Sequence, residues 1–268
     1  MTWWEAALLG LIQGLTEFLP VSSSGHLVIG QYLLGLEATD ITFEVFVHFG
    51  TVLSIVTVYR SRIAELLRHT WTGVTQPSRL VLHYRGNADF RFSVFILITM
   101  IPTGVIYLLF HDPIESAFGN PRFTCAMLLV TGLLLLLTRF RTHPEGDLGP
   151  IKALVIGIAQ SAAMIPGISR SGATICTALY QNVSPEKAAN FSFLMSLPVI
   201  VGATGIEALK LADLGLAGRM LPILIGTAIA YAAGIVAIKI VLDFVRRGNL
   251  QYFAYYCFLI GTLGLLLI

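Results

Sequence analysis

Residues 17–26 of the chain, EFLPVSSSGH, place a carboxylate (Glu17), three neighbouring hydroxyls (Ser22, Ser23, Ser24) and an imidazole (His26) within ten positions. A second polar stretch, residues 166–174 (PGISRSGAT), adds Ser169, Arg170, Ser171 and Thr174. Together they hold the parts for phosphoryl transfer. A serine nucleophile such as Ser23 needs a base, and His26 could serve it, since the two lie three apart on one helix face. Arg170 offers a planar fork suited to phosphate oxygens, and Thr174 lies four residues on, on the same face. Glu17 could take or relay a proton, or bind a divalent cation that a diphosphate brings with it.

A serine just before a helix is a good N-cap. Residues 22–25 and 169–172 would each open a half-helix and present unpaired backbone amides at the positive end of its dipole, so Ser22, Ser169, Ser171 and Gly172 are candidate anion-binding positions. Capping and packing alone account equally well for Ser22, Ser24 and Ser171. Gln13 is a candidate substrate contact, although hydrogen bonding between helices is the plainer role for Gln13 and Gln160. A purely structural ion pair with Glu17 is the alternative role for Arg170, but an arginine in an intramembrane SRSG turn is unusual enough to favour function, and a functional role is the default for a carboxylate at the depth of Glu17. Glu44 and His48, four apart, read as a supporting pair, whereas Glu207 and Asp243 sit near span ends. Asp112, Glu115, Glu145 and Asp147 read as solvated loop residues.

The elements that carry these groups are apolar. Of the 268 residues, 56% are hydrophobic and only 12% charged, and the mean hydropathy is +0.80. Soluble domains carry about 25% charged residues, so most of this surface is expected to face lipid. No Lys or Arg precedes the first apolar run, so a cleaved signal peptide is not expected. The three cysteines, Cys125, Cys176 and Cys257, fit no metal or redox spacing and read as buried apolar groups. No Walker loop, zinc motif or dinucleotide fingerprint is present.

Six segments are long enough to span a bilayer: 42–59, 92–110, 123–138, 189–209, 220–244 and 252–268. Segments 3–34 and 151–180 break at Pro20 and Pro166, and each half is too short to cross. They read as re-entrant hairpins, whose irregular backbone needs protein or a wet cavity around it. The two hairpins align at one offset, with Gly10, Gln13, Ser22, Ser24 and Gly25 falling 147 residues before Gly157, Gln160, Ser169, Ser171 and Gly172. The expected fold is therefore an all-α polytopic membrane domain: repeat 1 over 1–138, a linker over 139–150, and repeat 2 over 151–268. Each repeat is a hairpin plus three spans, and three crossings invert the second repeat relative to the first. If the loop 60–91 is cytoplasmic, that side holds twelve cations: Arg60, Arg62, Arg68, Arg79, Arg85, Arg91, Arg139, Arg141, Lys152, Lys187, Arg246 and Arg247. The other side holds three, Arg122, Lys210 and Arg219. That bias places both termini outside, and the loop's six arginines could touch anionic headgroups.

The stretch from Gln13 through Glu17 to His26, and PGISRSGAT from Pro166 to Thr174, resemble the two motifs of the undecaprenyl-diphosphate phosphatases of the bacitracin-resistance type. The resemblance extends over the whole chain. It implies an integral hydrolase of the bacterial inner membrane that converts undecaprenyl diphosphate to the monophosphate and phosphate, recycles the carrier for cell-wall synthesis and confers bacitracin resistance. It implies dependence on Mg2+ or Ca2+ and puts the family's catalytic positions on Glu17, Ser22, Ser23, His26, Ser169, Arg170 and Thr174. Gln13 stands where many members have Glu, so a cation would lean on Glu17, the substrate phosphates and water. The expected partners are a polyprenyl diphosphate and membrane lipid, with no nucleic acid; a homodimer is compatible with this. A secondary transporter or lipid flippase shares the inverted-repeat plan and is the main alternative. A purely structural membrane subunit is a third reading, against which the intramembrane Glu, His and Arg argue.

Overall fold

Local capping chemistry sets where the first apolar segment starts and breaks. In this computed structural model, which describes residues 1–35, 41–141, 145–211 and 220–268, α1 (Trp3–Thr16) opens on a capping box. The Thr2 hydroxyl accepts from the Glu5 amide and the Glu5 carboxylate accepts from the Thr2 amide at 2.7 Å. The helix stops at its C-cap Glu17, the chain reverses over 17–22 through Pro20, and α2 (Ser23–Leu33) begins. Two successive helices follow, α3 (Ile41–Val58) and α4 (Arg60–Thr75), bent by 84° at Tyr59. A 3₁₀ turn (Pro77–Arg79) leads to the short α5 (Leu80–Gly86). Then α6 (Ala88–Ala117) starts where the Asn87 side chain accepts from the Asp89 and Phe90 amides, and it kinks at Phe110, close to the carbonyl that Pro113 leaves unpaired. α7 (Pro121–Leu137) and α8 (Pro150–Ala162) each place proline at the first turn, where its missing amide costs nothing. The second break, 163–169, leads into α9 (Arg170–Tyr180), and α10 (Pro185–Leu211), α11 (Met220–Arg246) and α12 (Gln251–Leu267) complete the chain.

Every regular element among the described residues is a helix. Three are long and apolar enough to cross a membrane (Ala88–Ala117, Pro121–Phe140 and Met220–Arg246), and there are four if the bent pair α3–α4 is one span. Large apolar side chains stand outward along them, Leu108 of α6 and Leu221 of α11 among them, at 81% and 64% exposed. Such a surface suits lipid and not water. Two readings change. The segment 60–91, taken as a loop, is mostly helical, because its apolar residues recur at helical spacing between the arginines. Asp112 and Glu115 lie beyond the kink of α6 and not in a loop, though both are exposed as expected. Arg219 lies outside the described residues, as do the side chains of Glu207 and Lys210.

Small residues let the broken helices pack closely. Gly10 and Gly14 of α1 form a small-xxx-small stripe against Gly226 and Ala230 of α11. Gly157 of α8 packs in the same manner on Thr99 and Pro102 of α6, and the Gln160 amide donates to Thr103 Oγ1 at 3.0 Å. Thus Gly226 and Ala230 stand to α1 as Thr99 and Thr103 stand to α8. A Cβ at Gly10 would sit 2.8 Å from the Gly226 Cα. Gly10→Val is therefore expected to destabilise the fold by about 1–3 kcal/mol, read as a lowered thermal midpoint in detergent. Gly104→Ala, with nothing within 4 Å of its new methyl, should leave the midpoint unchanged or raise it.

The core beneath the breaks is aromatic and aliphatic: Phe18 meets Phe193 edge-on at 5.7 Å, among Val21, Ile55, Ile175 and Phe191. Cys125, Cys176 and Cys257 are free and buried. The linker is tied down at Gly146, which forms a bridge with Val183, and at Asp147, which pairs with Lys187. That pairing holds the Asp147 carboxyl below the usual carboxylate range. Its contribution is present at neutral pH and is lost as pH falls through the lowered value.

Candidate functional site

The two breaks are built alike. Ser22, at φ 70°, caps α2: its hydroxyl accepts from the Gly25 amide at 3.2 Å and lies 3.3 Å from the Ser24 hydroxyl. Ser169 caps α9: its hydroxyl accepts from the Gly172 amide at 3.1 Å and lies 3.2 Å from the Ser171 hydroxyl. These contacts repeat at the same 147-residue offset as the sequence. Among the described residues, the amides of Ser23, Ser24, Arg170 and Ser171 make no hydrogen bond, so each tip keeps two free donors at the positive end of its helix.

The tips touch. The Ser171 hydroxyl donates to the Leu19 carbonyl at 3.2 Å. A Cβ on Gly25 would lie 3.1 Å from the Gly167 Cα, and one on Gly172 would lie 3.4 Å from the Pro20 Cβ. The approach at Gly25 is tighter than side chains usually allow, whereas that at Gly172 is an ordinary van der Waals contact.

Glu17 is the hub. One carboxylate oxygen accepts a hydrogen bond from Arg170 Nη2. The other accepts from the Ser23 hydroxyl at 2.6 Å and from the Gln13 amide at 3.0 Å, and His48 Nε2 stands 3.8 Å away. The Glu17 side chain is 5% exposed and that of Arg170 19%. A buried carboxylate persists only with this much compensation, and the same contacts aim Ser23 and Arg170 at one point.

His26 does not reach Ser23. Its Nδ1 lies 2.8 Å from the Ser22 carbonyl and its Nε2 2.9 Å from the Tyr256 hydroxyl, with the two rings stacked at 5.5 Å. A carbonyl can only accept, so the proton is assigned to Nδ1, and Nε2 accepts from Tyr256. The base within reach of Ser23 is Glu17. Spacing does put Ser23 and His26 on one helix face, but the chain reversal at 17–22 brings Glu17 closer.

The other candidates divide. The hydroxyls of Ser22, Ser169 and Ser171 are buried and used in capping and tip contacts, and the Gly172 amide is used by Ser169. Thr174 turns away: its hydroxyl donates to the Arg170 carbonyl at 2.8 Å and meets Ser192 Oγ of α10 at 2.6 Å. Gln160 bonds between helices, as expected, whereas Gln13 stays within its own helix beside Glu17. Glu44 accepts from Gln31 at 2.8 Å, and the Glu44 carbonyl holds His48 Nδ1 at 2.8 Å, which leaves His48 Nε2 facing Glu17.

Two residues at the tips escaped the sequence reading. Thr131 Oγ1 of α7 accepts from the Ser169 amide at 3.0 Å and donates to the Gly167 carbonyl at 2.9 Å, pinning the second tip. Its signal was a hydroxyl inside the apolar run LLVTGLLLL. Tyr256 had no mark to separate it from Tyr252 and Tyr255.

A divalent cation would find few ligands. Among the described residues no group of three His, Cys, Asp or Glu could hold one. Glu17 is a single carboxylate, but Gln13 Oε1 beside it is buried with no hydrogen-bond partner. One carboxylate and one orphaned amide oxygen fit a hard cation whose remaining ligands come from a phosphate.

The family model described as bacitracin resistance protein BacA matches residues 6–263. Among curated proteins, the undecaprenyl-diphosphatase of Salinibacter ruber is 65% identical over 270 residues, covering 100% of both chains. Those of Desulfatibacillum aliphaticivorans and Halothermothrix orenii are 41% and 40% identical, and each alignment covers 98% of this chain and 97% of the relative.

Proposed function

The chain belongs to the BacA family of bacitracin resistance proteins, and from that membership we propose that it is an undecaprenyl-diphosphatase. It hydrolyses the lipid diphosphate to the monophosphate and inorganic phosphate and so recycles the carrier for cell-wall synthesis. The observation that carries the chemistry is the line Ser23–Glu17–Arg170 across the meeting point of the tips.

The diphosphate lies over the free amides of Ser23, Ser24, Arg170 and Ser171, with its prenyl chain left in lipid. Arg170 shifts from Glu17 toward the terminal phosphoryl oxygens. Ser23 Oγ attacks the terminal phosphorus, the bond to the bridging oxygen breaks, and undecaprenyl phosphate leaves with that electron pair. The Ser23 proton passes to Glu17, and the protonated acid holds Arg170 less tightly. Water then attacks the phosphoserine phosphorus, the P–Oγ bond breaks, Ser23 Oγ takes back its proton from Glu17, and inorganic phosphate leaves; the net change is the addition of one water. Glu17 and Gln13 would hold a Mg2+ or Ca2+ ion that arrives with the substrate, and such an ion neutralises phosphate charge. His26 borders the site through Ser22 and Tyr256.

Thr131→Val removes a partner from the Ser169 amide and another from the Gly167 carbonyl while keeping the volume. It should lower kcat by about tenfold or more, since a single unsatisfied buried group is on that scale and two lose a partner, with Thr131→Ser restoring it. The function itself is tested by phosphate release from undecaprenyl diphosphate by the purified protein. Substrate flux in liposomes with no phosphate released would favour a transporter instead.

We also propose the finer architecture: one domain of two inverted repeats, 1–138 and 151–268, with six spans and two re-entrant hairpins. The matching caps and the matching glycine contacts of α1 and α8 support it. With the arginine-rich side cytoplasmic, both termini lie on the outer side of the bacterial inner membrane.

A further inference from the structure

The arginine-rich segment between α3 and α6 carries a surface that the hydrolysis does not use. α4 has three distinct faces. One, formed by Arg62, Leu66, His69 and Gly73, packs on α6. Arg62 pairs with Asp89 at 2.6 Å, His69 is bonded to Asn87 at 2.8 Å, and a Cβ on Gly73 would run into the Phe90 ring. These contacts fix the rotation of the helix. A second face is polar, with Ser61, Glu65, Arg68 and Thr72. The third is an apolar stripe at i, i+4, i+7, of which Leu67 is 66% exposed, Trp71 72% and Val74 61%. Val81 and Leu82 of α5 are likewise exposed, at 64% and 68%.

Nothing in the described chain covers that stripe, and its charge setting indicates what does. Arg60, Arg68, Arg79 and Arg85 are exposed and form no ion pair among the described residues. Glu65 of α4 and Asp89 at the start of α6 are both engaged by Arg62. The 84° bend after α3 turns α4 nearly parallel to the plane that α3 would cross. A helix lying in that plane, with an apolar stripe bearing tryptophan and flanked by unpaired arginines, has the features of an interfacial anchor.

We propose that α4 and α5 form a platform bound to an anionic phospholipid surface, with Leu67, Trp71 and Val74 at the acyl boundary and Arg60, Arg68, Arg79 and Arg85 on the headgroup phosphates. This rests on the membrane placement proposed above but not on the chemistry at Ser23.

The test uses the full chain with Trp3→Phe and Trp4→Phe, which leaves Trp71 as the sole tryptophan. The protein is reconstituted in phosphatidylcholine vesicles containing a minor fraction of phosphatidylglycerol, with either lipid brominated in its acyl chains. Trp71 fluorescence should be quenched by the lipid, more by brominated phosphatidylglycerol than by brominated phosphatidylcholine at equal fraction. The preference should approach fivefold for each arginine engaged and shrink in Arg68→Gln/Arg79→Gln. Quenching of Trp71 by aqueous acrylamide as in an unfolded chain would overturn the proposal. Equal quenching by the two lipids would also overturn it, as would shielding from both together with energy transfer between labelled copies, which would make the stripe a contact between subunits. Phosphate release from the same vesicles reports separately on the functional reading.

Discussion

Glu17→Gln is expected to lower phosphate release by about 10³-fold while leaving the protein folded. The amide keeps the shape of the carboxylate and can still meet Arg170 and Ser23, but it cannot take the Ser23 proton. General-base catalysis contributes about 10²–10⁴-fold, and the loss of charge beside Arg170 acts on the same step. His26→Gln should cost about tenfold, because its ring faces Ser22 and Tyr256 and not Ser23. Steady-state kinetics on the two variants decide between the bases. A larger loss at His26 than at Glu17 would return the base role to histidine and require the α2 tip to rearrange on binding substrate.

Arg170→Ala is expected to lower kcat by about 10²–10³-fold, the range seen when one preorganised transition-state donor is removed. Arg170→Lys should recover only part of this, since a point charge replaces a two-pronged fork. The substitution has a second consequence. Arg170 supplies the main countercharge to a buried Glu17, so its removal leaves that carboxylate to Ser23, Gln13 and His48. The double variant Arg170→Ala/Glu17→Gln should therefore be more stable than Arg170→Ala alone, by roughly 3 kcal/mol if the stranded charge is as costly as in other buried pairs. Thermal midpoints in detergent measure this. Equal midpoints would mean that water reaches Glu17 freely once the arginine is gone.

How much of this could be read from residues alone depends on distance along the chain. The breaks at Pro20 and Pro166 stood out because polar, glycine- and proline-containing stretches interrupt apolar runs, and their common offset marked them as a pair. Glu17, Ser23 and Arg170 were legible for the same reason. A carboxylate, a run of hydroxyls and a guanidinium are costly at such places unless they are paired. The partners within the site were harder to read. Helical spacing reports which residues share a face, and it pointed to Ser23 with His26 and Arg170 with Thr174. It says nothing about a chain reversal that folds Glu17 back onto Ser23, or about α10 offering Ser192 to Thr174. Thr131 and Tyr256 come from α7 and α12, more than thirty residues from the groups they hold, and no local pattern encodes such a contact. The helical character of α4 was masked by its arginines, since a search for uninterrupted apolar length passes over an amphipathic helix whose apolar stripe is only three or four residues long.

The covalent role of Ser23 can be measured in one turnover. The purified protein is mixed with undecaprenyl diphosphate labelled at its terminal phosphorus, quenched in acid within the first turnover, and digested. The mechanism requires label on the peptide that contains Ser23, formed no more slowly than free phosphate appears and absent from Ser23→Ala, whose turnover should fall by about 10³-fold or more. Release of phosphate at the full rate with no label on residue 23 at any time would contradict it and leave water as the attacking group.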